Sequence, residues 1–284
     1  MRKLELFELL KLKKIHWIIL SVSVFMLFIG LIRYSIQYYS GYYNRESLFN
    51  KSSNNSPIVK PLISIVIDDV GLDKHRSKRV IALPKSITIA FLPYATDVHI
   101  QAKNAILAGH ELILHMPMEP NDDSIYPGPN ALEINLDHNE FIRRIKLNLD
   151  QFGGYVGVNN HMGSKLTSHP ESMKLLIGEL KKRGLFFLDS RTSNKTVGLD
   201  IALDLKASIV ERNVFIDHEG ELSAINSELA RLEKIAEQNG YAVAIGHPKD
   251  NTLYALEKWI PEVEKRGFLL VPLSAVVKFT TSNE

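Results

Sequence analysis

The sequence predicts an α/β fold, with a mostly parallel sheet or a (β/α) barrel behind an N-terminal membrane anchor. Short apolar runs alternate with longer segments of helical period, and this alternation continues to the end of the chain. Several helical segments end at a glycine, and polar side chains collect where the apolar runs end. Such an alternation is typical of parallel sheets, because each crossover helix returns the chain to the same edge of the sheet.

Composition excludes several kinds of function. The chain has 284 residues, 45% of them hydrophobic, which is enough for one large domain or two small ones. The formal net charge is only +2 and the basic residues form no stripe, so no nucleic-acid partner is indicated. There are no cysteines, which excludes thiolate metal sites, a cysteine nucleophile and disulfides. Any metal must therefore be held by His, Asp or Glu.

The N-terminal part of the chain differs in composition from the rest. We predict a basic cytoplasmic tail at residues 1–14, a transmembrane signal anchor at 15–39 and a flexible linker at 40–61. Residues 17–32 are apolar or small without interruption, as in a membrane-spanning helix, with basic residues before them and tyrosines after them. A buried core helix is the alternative. The anchor predicts a single-pass protein of the inner (cytoplasmic) membrane, with its working domain, residues 62–284, in the periplasm or otherwise outside that membrane.

The working domain contains eight candidate strands and six candidate helices. Short apolar runs predict strands at residues 62–67, 86–92, 111–115, 155–158, 185–188, 214–216, 241–245 and 268–271. Helical periodicity predicts helices at residues 74–83, 97–108, 139–151, 170–183, 221–238 and 252–265. Glycines follow five of these helices, at Gly109, Gly153, Gly184, Gly240 and Gly267. A glycine there allows the left-handed turn that leads into the next strand.

Asp68 and Asp69 close the first apolar run and are the most informative feature of the sequence. Two adjacent carboxylates at the end of a buried strand repel each other unless a cation or a shared proton compensates. The pair therefore indicates an enzyme site, with capping of the next helix as the alternative. Later strands also end in polar residues, which are His115, Asn159, Asn160, His161, Asp189, Ser190, Arg191, Asp217, His218 and His247. Because the loops after parallel strands form one shared face, these side chains are expected to converge.

At these strand ends the sequence resembles the polysaccharide deacetylases, and most closely their divergent branch, which is found as envelope proteins of bacteria. The resemblance covers residues 62–277. Residues 67–71, with the sequence I-D-D-V-G, resemble the first motif of the family, and His115 with the five residues after it resembles the second. The later segments that are similar to the divergent branch are residues 160–164, 188–193 and 245–248. The resemblance implies a distorted (β/α) barrel of about seven parallel strands.

The resemblance also implies catalytic roles for individual residues. Asp68 would be the general base, and His247 would be the general acid. Asp189 would orient or tune His247, with Arg191 next to it.

A divalent-metal site is implied in the same way. Asp69 would be the first ligand and His115 the second. The main family has another histidine four residues after the first, but Glu119 stands at that position. The third ligand is therefore open, with His161 preferred and Glu119 as the runner-up. Two imidazoles and one carboxylate suit Zn²⁺ with a position left for water, and iron, cobalt or nickel would suit the same site.

Three functions are compatible with these patterns. The first is a membrane-anchored, metal-dependent hydrolase that removes N-acetyl or other acyl groups from an envelope glycan. The alternative is a catalytically degenerate module of the same fold that binds a glycan or an envelope protein. A third possibility is the same fold and metal acting on a different amide or an ester. Metal content separates the second function from the other two.

Overall fold

The computed structural model describes residues 49–51 and 57–281. The predicted cytoplasmic tail and signal anchor, residues 1–39, lie outside the described residues, as does most of the predicted linker. Within that linker, strands β1 (Phe49–Lys51) and β2 (Pro57–Val59) pair antiparallel. In the described ranges, no helix combines the length and the apolar character needed to cross a membrane.

From Leu62 onward the chain forms one parallel sheet. Its strands are β3 (Leu62–Val70), β4 (Thr88–Phe91), β5 (Leu112–Met118), β6 (Tyr155–Met162), β7 (Phe186–Asp189), β8 (Ile209–Glu211), β9 (Val214–Phe215), β10 (Tyr241–Gly246) and β11 (Leu269–Leu270). The order along the sheet is β8-β7-β6-β5-β4-β3-β10-β9, and β11 pairs with the first residues of β3. Every ladder between these strands is parallel.

The prediction of an α/β fold with a parallel sheet is confirmed. Eight strands lie along the main path rather than about seven, and within the described residues the end strands β8 and β9 do not pair with each other. The sheet is therefore a curled half-barrel, consistent with a distorted barrel. The sequence did not predict β8, because its three residues stand between polar neighbours and give no apolar run.

Helices connect the strands and cover the sheet. They are Lys74–Ile81, Val98–Leu107, His138–Leu149, Pro170–Lys182, Gly198–Leu205, Leu222–Asn239, Asp250–Lys265 and Leu273–Thr281, and a short 3-10 helix lies at Leu166–Ser168. Six of them match predicted helices. The sequence did not predict Gly198–Leu205, which is only eight residues long and starts at a glycine. It also did not predict Leu273–Thr281, whose buried face comprises only Leu273, Val276 and Val277.

The central strands carry polar residues into the core. Every residue of β5 is buried, and β3 and β10 each contain only one partly exposed residue. A strand that is buried on both faces shows a continuous apolar run rather than alternation, which is the pattern seen in the sequence. Asp68 and His115 stand near the carboxyl ends of such strands and are themselves buried. The fold thus places titratable groups where water does not reach them freely.

Candidate active site

A β-bulge at the end of β3 directs two neighbouring carboxylates to the same place. The register with β4 shifts between Ile67 and Val70, and Asp69 has a φ of 56°. In a regular strand, successive side chains point to opposite faces. Here Asp68 Oδ2 and Asp69 Oδ1 lie 3.6 Å and 3.2 Å from the same atom, His115 Nε2. The left-handed backbone at Asp69 is a form of local strain that concentrates at functional sites.

Asp69, His115 and His161 form a compact group of possible metal ligands. Asp69 Oδ1 lies 2.9 Å from His161 Nδ1 and 3.2 Å from His115 Nε2, and the two nitrogens are 3.2 Å apart. The parallel register of β5 and β6 explains the grouping, because it places His115 opposite Asn159 and Pro117 opposite His161. His161 therefore lies two residues further along β6 from Asn159, on the same face of the strand.

The geometry of this group fits a divalent cation. Ligand atoms about 2.0–2.1 Å from a tetrahedral zinc ion lie about 3.3 Å from one another, which is close to the spacing found here. Asp69 Oδ1 is buried and, among the described residues, accepts no hydrogen bond. Because a buried carboxylate oxygen without a donor is costly, this atom lacks a partner that a cation would supply. The donor set of one carboxylate and two imidazoles is also one that zinc accepts.

Glu119, the runner-up ligand, makes a separate set of contacts. Its Oε2 accepts a hydrogen bond from the backbone N–H of Ile134 at 2.7 Å, and its Oε1 lies 2.7 Å from Lys165 Nζ. The carboxylate therefore ties together the loops that follow β5 and β6. The structure groups His161, and not Glu119, with the other two candidate ligands.

His247 lies on the other side of Asp69, with its Nε2 3.8 Å from Asp69 Oδ2. Its Nδ1 lies 2.9 Å from Asp217 Oδ1. The parallel register of β9 and β10 sets Phe215 opposite Ile245, and continuing it by two residues sets Asp217 beside His247. The sequence showed Asp217 as a strand-end residue but gave it no role. Its role was missed because the sequence does not show that β9 lies next to β10.

The expectation that Asp189 orients His247 needs correction. The carboxylate of Asp189 accepts hydrogen bonds from the backbone N–H of Arg191 at 2.8 Å and from Thr196 Oγ1 at 2.6 Å. Strand β7, which carries Asp189, is separated from β10 by β6, β5, β4 and β3. Asp217 takes the expected place beside His247. The guanidinium of Arg191 pairs with Glu211 at 2.9 Å, so both expected tuning residues hold the loop after β7.

The pKa values of the two adjacent carboxylates are shifted in opposite directions. Burial raises the pKa of Asp68, and this effect outweighs the opposing influence of His115 and His247. Burial also acts on Asp69, but contacts from His115 and His161 overcome it and hold the pKa of Asp69 well below its usual range. The lowered pKa favours the ionised form of Asp69, which is the form that binds a metal, whereas the raised pKa of Asp68 favours proton uptake.

Neighbouring carboxylates raise the pKa of two imidazoles in the site. Burial disfavours the charged form of His247, but the adjacent Asp217 carboxylate raises the pKa of His247 above its ordinary value. Burial likewise opposes the charge on His115, and Asp68 and Asp69 raise the pKa of His115. The carboxylate of Asp217 shows the reciprocal effect, because contacts from His247 outweigh burial and lower the pKa of Asp217.

Comparison with known proteins addresses the family. Residues 65–277 match the sequence profile of the divergent polysaccharide deacetylases. The chain belongs to this family. The resemblance predicted from the strand-end motifs is thereby confirmed.

Several known proteins are similar to this chain in sequence or in fold. An uncharacterized protein of Escherichia coli (strain K12) is 32% identical over 206 residues, which cover 72% of this chain and 64% of that protein, less than two thirds of its length. The crystal structure of an uncharacterized protein from Agrobacterium tumefaciens C58 is 27% identical, with a TM-score of 0.75 over 81% of this chain and 94% of that one. The catalytic domain of peptidoglycan N-acetylglucosamine deacetylase from Eubacterium rectale is 15% identical, with a TM-score of 0.51 over 80% of this chain and 94% of that one.

Proposed function

We propose that this divergent polysaccharide deacetylase is a metal-dependent hydrolase that removes N-acetyl groups from an envelope polysaccharide. One observation carries the proposal. The ligand atoms of Asp69, His115 and His161 lie within 4.8 Å of one another, with the Asp68 carboxylate beside them. His247 stands on the far side of Asp69. A candidate base and a candidate acid therefore flank one candidate cation site.

Asp69, His115 and His161 would hold the divalent cation, with zinc favoured and iron, cobalt or nickel as alternatives. When bound, such a cation would acidify water and polarise the acyl oxygen of an amide. Asp68 is the general base in this proposal, because it is buried beside the ligands and can accept a proton from the attacking water. The positive charge held at Asp69 would favour the ionised form of Asp68 and so counter the effect of burial.

His247 is the general acid. Asp217 binds its Nδ1, which leaves Nε2 directed toward the site. With its pKa raised by Asp217, the imidazole holds its proton to a higher pH than a free imidazole would, and it can pass that proton to the departing amine. A base and an acid with opposite protonation states are what hydrolysis of an amide requires.

A binding module without turnover is the second candidate function. The contacts of 2.9 Å and 3.2 Å between Asp69 and the two imidazoles favour it, because protonated histidines could neutralise the carboxylates without an ion. In that case the same cleft would bind a glycan or an envelope protein. A module of this kind would contain no stoichiometric metal.

Two measurements on the purified full-length protein test the proposal. Metal content is determined by mass spectrometry, and acetate release is followed with peptidoglycan and with chito-oligosaccharides. Bound metal together with acetate release supports the deacetylase. Bound metal with hydrolysis of only another amide or an ester would point to a different substrate class. Absence of both metal and turnover would favour the binding module.

We also propose that the protein is a single-pass protein of the inner membrane, anchored by residues 15–39, with the deacetylase domain in the periplasm. The support is the apolar run at residues 17–32, with basic residues before it and tyrosines after it. The test is membrane fractionation followed by protease treatment of spheroplasts. A domain that stays protected from protease in intact spheroplasts would contradict this orientation.

A further inference from the structure

Asn159 connects the candidate base to a candidate ligand through a single side chain. The residue is completely buried. Its Oδ1 lies 2.8 Å from His115 Nδ1, and its Nδ2 lies 2.8 Å and 3.0 Å from the two carboxylate oxygens of Asp68. A weaker contact of 3.2 Å joins Nδ2 to Ser190 Oγ. All polar atoms of this amide are therefore engaged.

The orientation of the amide follows from the chemistry of its partners. An ionised carboxylate only accepts hydrogen bonds, so the group facing Asp68 must be the NH₂ of Asn159. The opposite orientation would place an amide oxygen against two carboxylate oxygens. The amide oxygen then faces His115 Nδ1, and because a carbonyl oxygen cannot donate, His115 must carry its proton on Nδ1.

This proton position decides what the other nitrogen of His115 can do. A neutral imidazole with its proton on Nδ1 has a free lone pair on Nε2. Nε2 is the atom that lies 3.2 Å from both Asp69 Oδ1 and His161 Nδ1. The contact from Asn159 thus turns the metal-binding lone pair toward the other candidate ligands. Partners of this kind fix the tautomer and the ring orientation of metal-binding histidines.

The NH₂ group of Asn159 donates hydrogen bonds to Asp68. Hydrogen bonds to both oxygens hold the carboxylate group against rotation and stabilise its ionised form. No helix or loop is needed for this arrangement, because Asn159 is the direct register partner of His115 across β5 and β6. The neighbouring Asn160 is equally buried but contacts Met162 O and Thr192 Oγ1 on the other face of β6. Because successive side chains of a strand point to opposite faces, Asn159 contacts the candidate site whereas Asn160 contacts residues outside it.

We infer that Asn159 is a positioning residue of the deacetylase site, which selects the metal-binding tautomer of His115 and aligns the Asp68 carboxylate with one amide group. The catalytic half of this inference is the alignment of Asp68, and it rests on the proposed function. The ligand half is the selection of the His115 tautomer, which concerns metal affinity alone and does not require an active enzyme.

Two substitutions separate the halves. Asn159→Asp keeps an oxygen that accepts from His115 Nδ1 but replaces the NH₂ donor to Asp68 with a second carboxylate oxygen, which repels Asp68 unless the two share a proton. Asn159→Ala removes both contacts. Asn148→Ala is the matched control, since Asn148 is a buried asparagine whose Nδ2 donates to Asn130 O and Arg144 O, away from the site. Each full-length protein is checked for folding by circular dichroism before the measurements.

Zinc affinity is measured by competition with a chromophoric chelator, and the tautomer of His115 by nitrogen-15 NMR of histidine-labelled protein. We expect Asn159→Ala to weaken zinc binding by about 10- to 100-fold, the usual effect of losing a partner of a metal-binding histidine. Asn159→Asp should stay within about threefold of the wild type in zinc affinity and keep the proton of His115 on Nδ1. With the substrate found in the acetate-release assay, Asn159→Asp should lower kcat by about 100-fold, with the loss in kcat and not in KM.

The outcomes separate the two claims. Zinc binding by Asn159→Ala that matches the wild type and Asn148→Ala would overturn the ligand half. An unchanged kcat in Asn159→Asp would overturn the catalytic half. If the wild type binds zinc but hydrolyses no glycan, the proposed function fails while the affinity and NMR results still decide the ligand half. If Asn159→Ala does not fold, the tautomer in Asn159→Asp decides it, because a His115 that is not protonated on Nδ1 contradicts the inference.

Discussion

One carboxylate holds both the ring and the backbone of His247. Asp217 Oδ1 lies 2.9 Å from His247 Nδ1, and Asp217 Oδ2 accepts the backbone N–H of the same residue at 2.8 Å. Thr252 Oγ1 donates to Oδ2 at 2.7 Å, and Asp217 is fully buried. The imidazole therefore has a fixed position and a fixed protonation partner, which are the properties expected of a general acid.

Asp217→Asn should shift the pH dependence of turnover. The carboxylate raises the pKa of His247, so the protonated acid persists to a higher pH in the wild type. Without the negative charge the pKa of His247 falls, and the alkaline limb of the pH–rate profile moves to lower pH. We also expect kcat at neutral pH to fall by about 10- to 100-fold. An alkaline limb that stays in place would show that His247 is not the group titrating there.

Asp69→Asn and Asp68→Asn should have different effects although the residues are adjacent. The first removes a candidate ligand and should abolish tight metal binding and turnover together. The second should retain metal, because Asp68 is not in the ligand group, and should lower kcat by about 10²- to 10⁴-fold as a lost general base. Metal content and acetate release are measured on the same samples.

Asp73→Asn is the control for these two variants. Asp73 caps the helix that starts at Lys74, and asparagine is an equally good cap, so this variant should keep both metal and turnover. Wild-type metal and activity in both Asp68→Asn and Asp69→Asn would refute the assigned site.

His161→Ala and Glu119→Gln test which residue is the third ligand. Loss of the His161 imidazole should weaken metal binding strongly. Glu119→Gln should leave metal affinity unchanged and lower the free energy of unfolding by only about 0–1 kcal/mol, because the ion pair it removes with Lys165 is partly exposed. Isothermal titration with zinc and denaturant unfolding supply the two quantities. The opposite pattern of metal affinities would make Glu119 the ligand.

Gly71→Ala should disturb the turn that follows Asp69. Gly71 has a φ of 119°, and an added Cβ would lie 2.5 Å from the Cβ of Ala95. We expect a loss of about 1–3 kcal/mol in the free energy of unfolding, together with weaker metal binding as the bulge shifts. Gly153→Ala is the control, since an added Cβ there meets no atom within 4 Å. Urea titrations of both variants give the comparison, and equal losses would mean that the turn is not under steric constraint.

Much of the fold could be predicted from local sequence. The buried strands β3, β5 and β10 gave continuous apolar runs, and most helices showed clear periodicity. Two short elements were not predicted, because β8 gives no apolar run between its polar neighbours and the helix Gly198–Leu205 starts at a glycine. The same limit applied to the number of strands in the sheet.

For the site, the sequence alone determined which residues stand at strand ends, and hence the candidate ligands Asp69, His115 and His161. Only the tertiary structure decided the partners of these residues. The β-bulge that turns Asp68 and Asp69 to one side, the amide of Asn159 between base and ligand, and the pairing of Asp217 with His247 all depend on which strands are neighbours and in what register. The sequence gives the chemical type of each residue directly. Hydrogen bonds across a parallel sheet, in contrast, join residues that are far apart in sequence and become adjacent only when the strands pair.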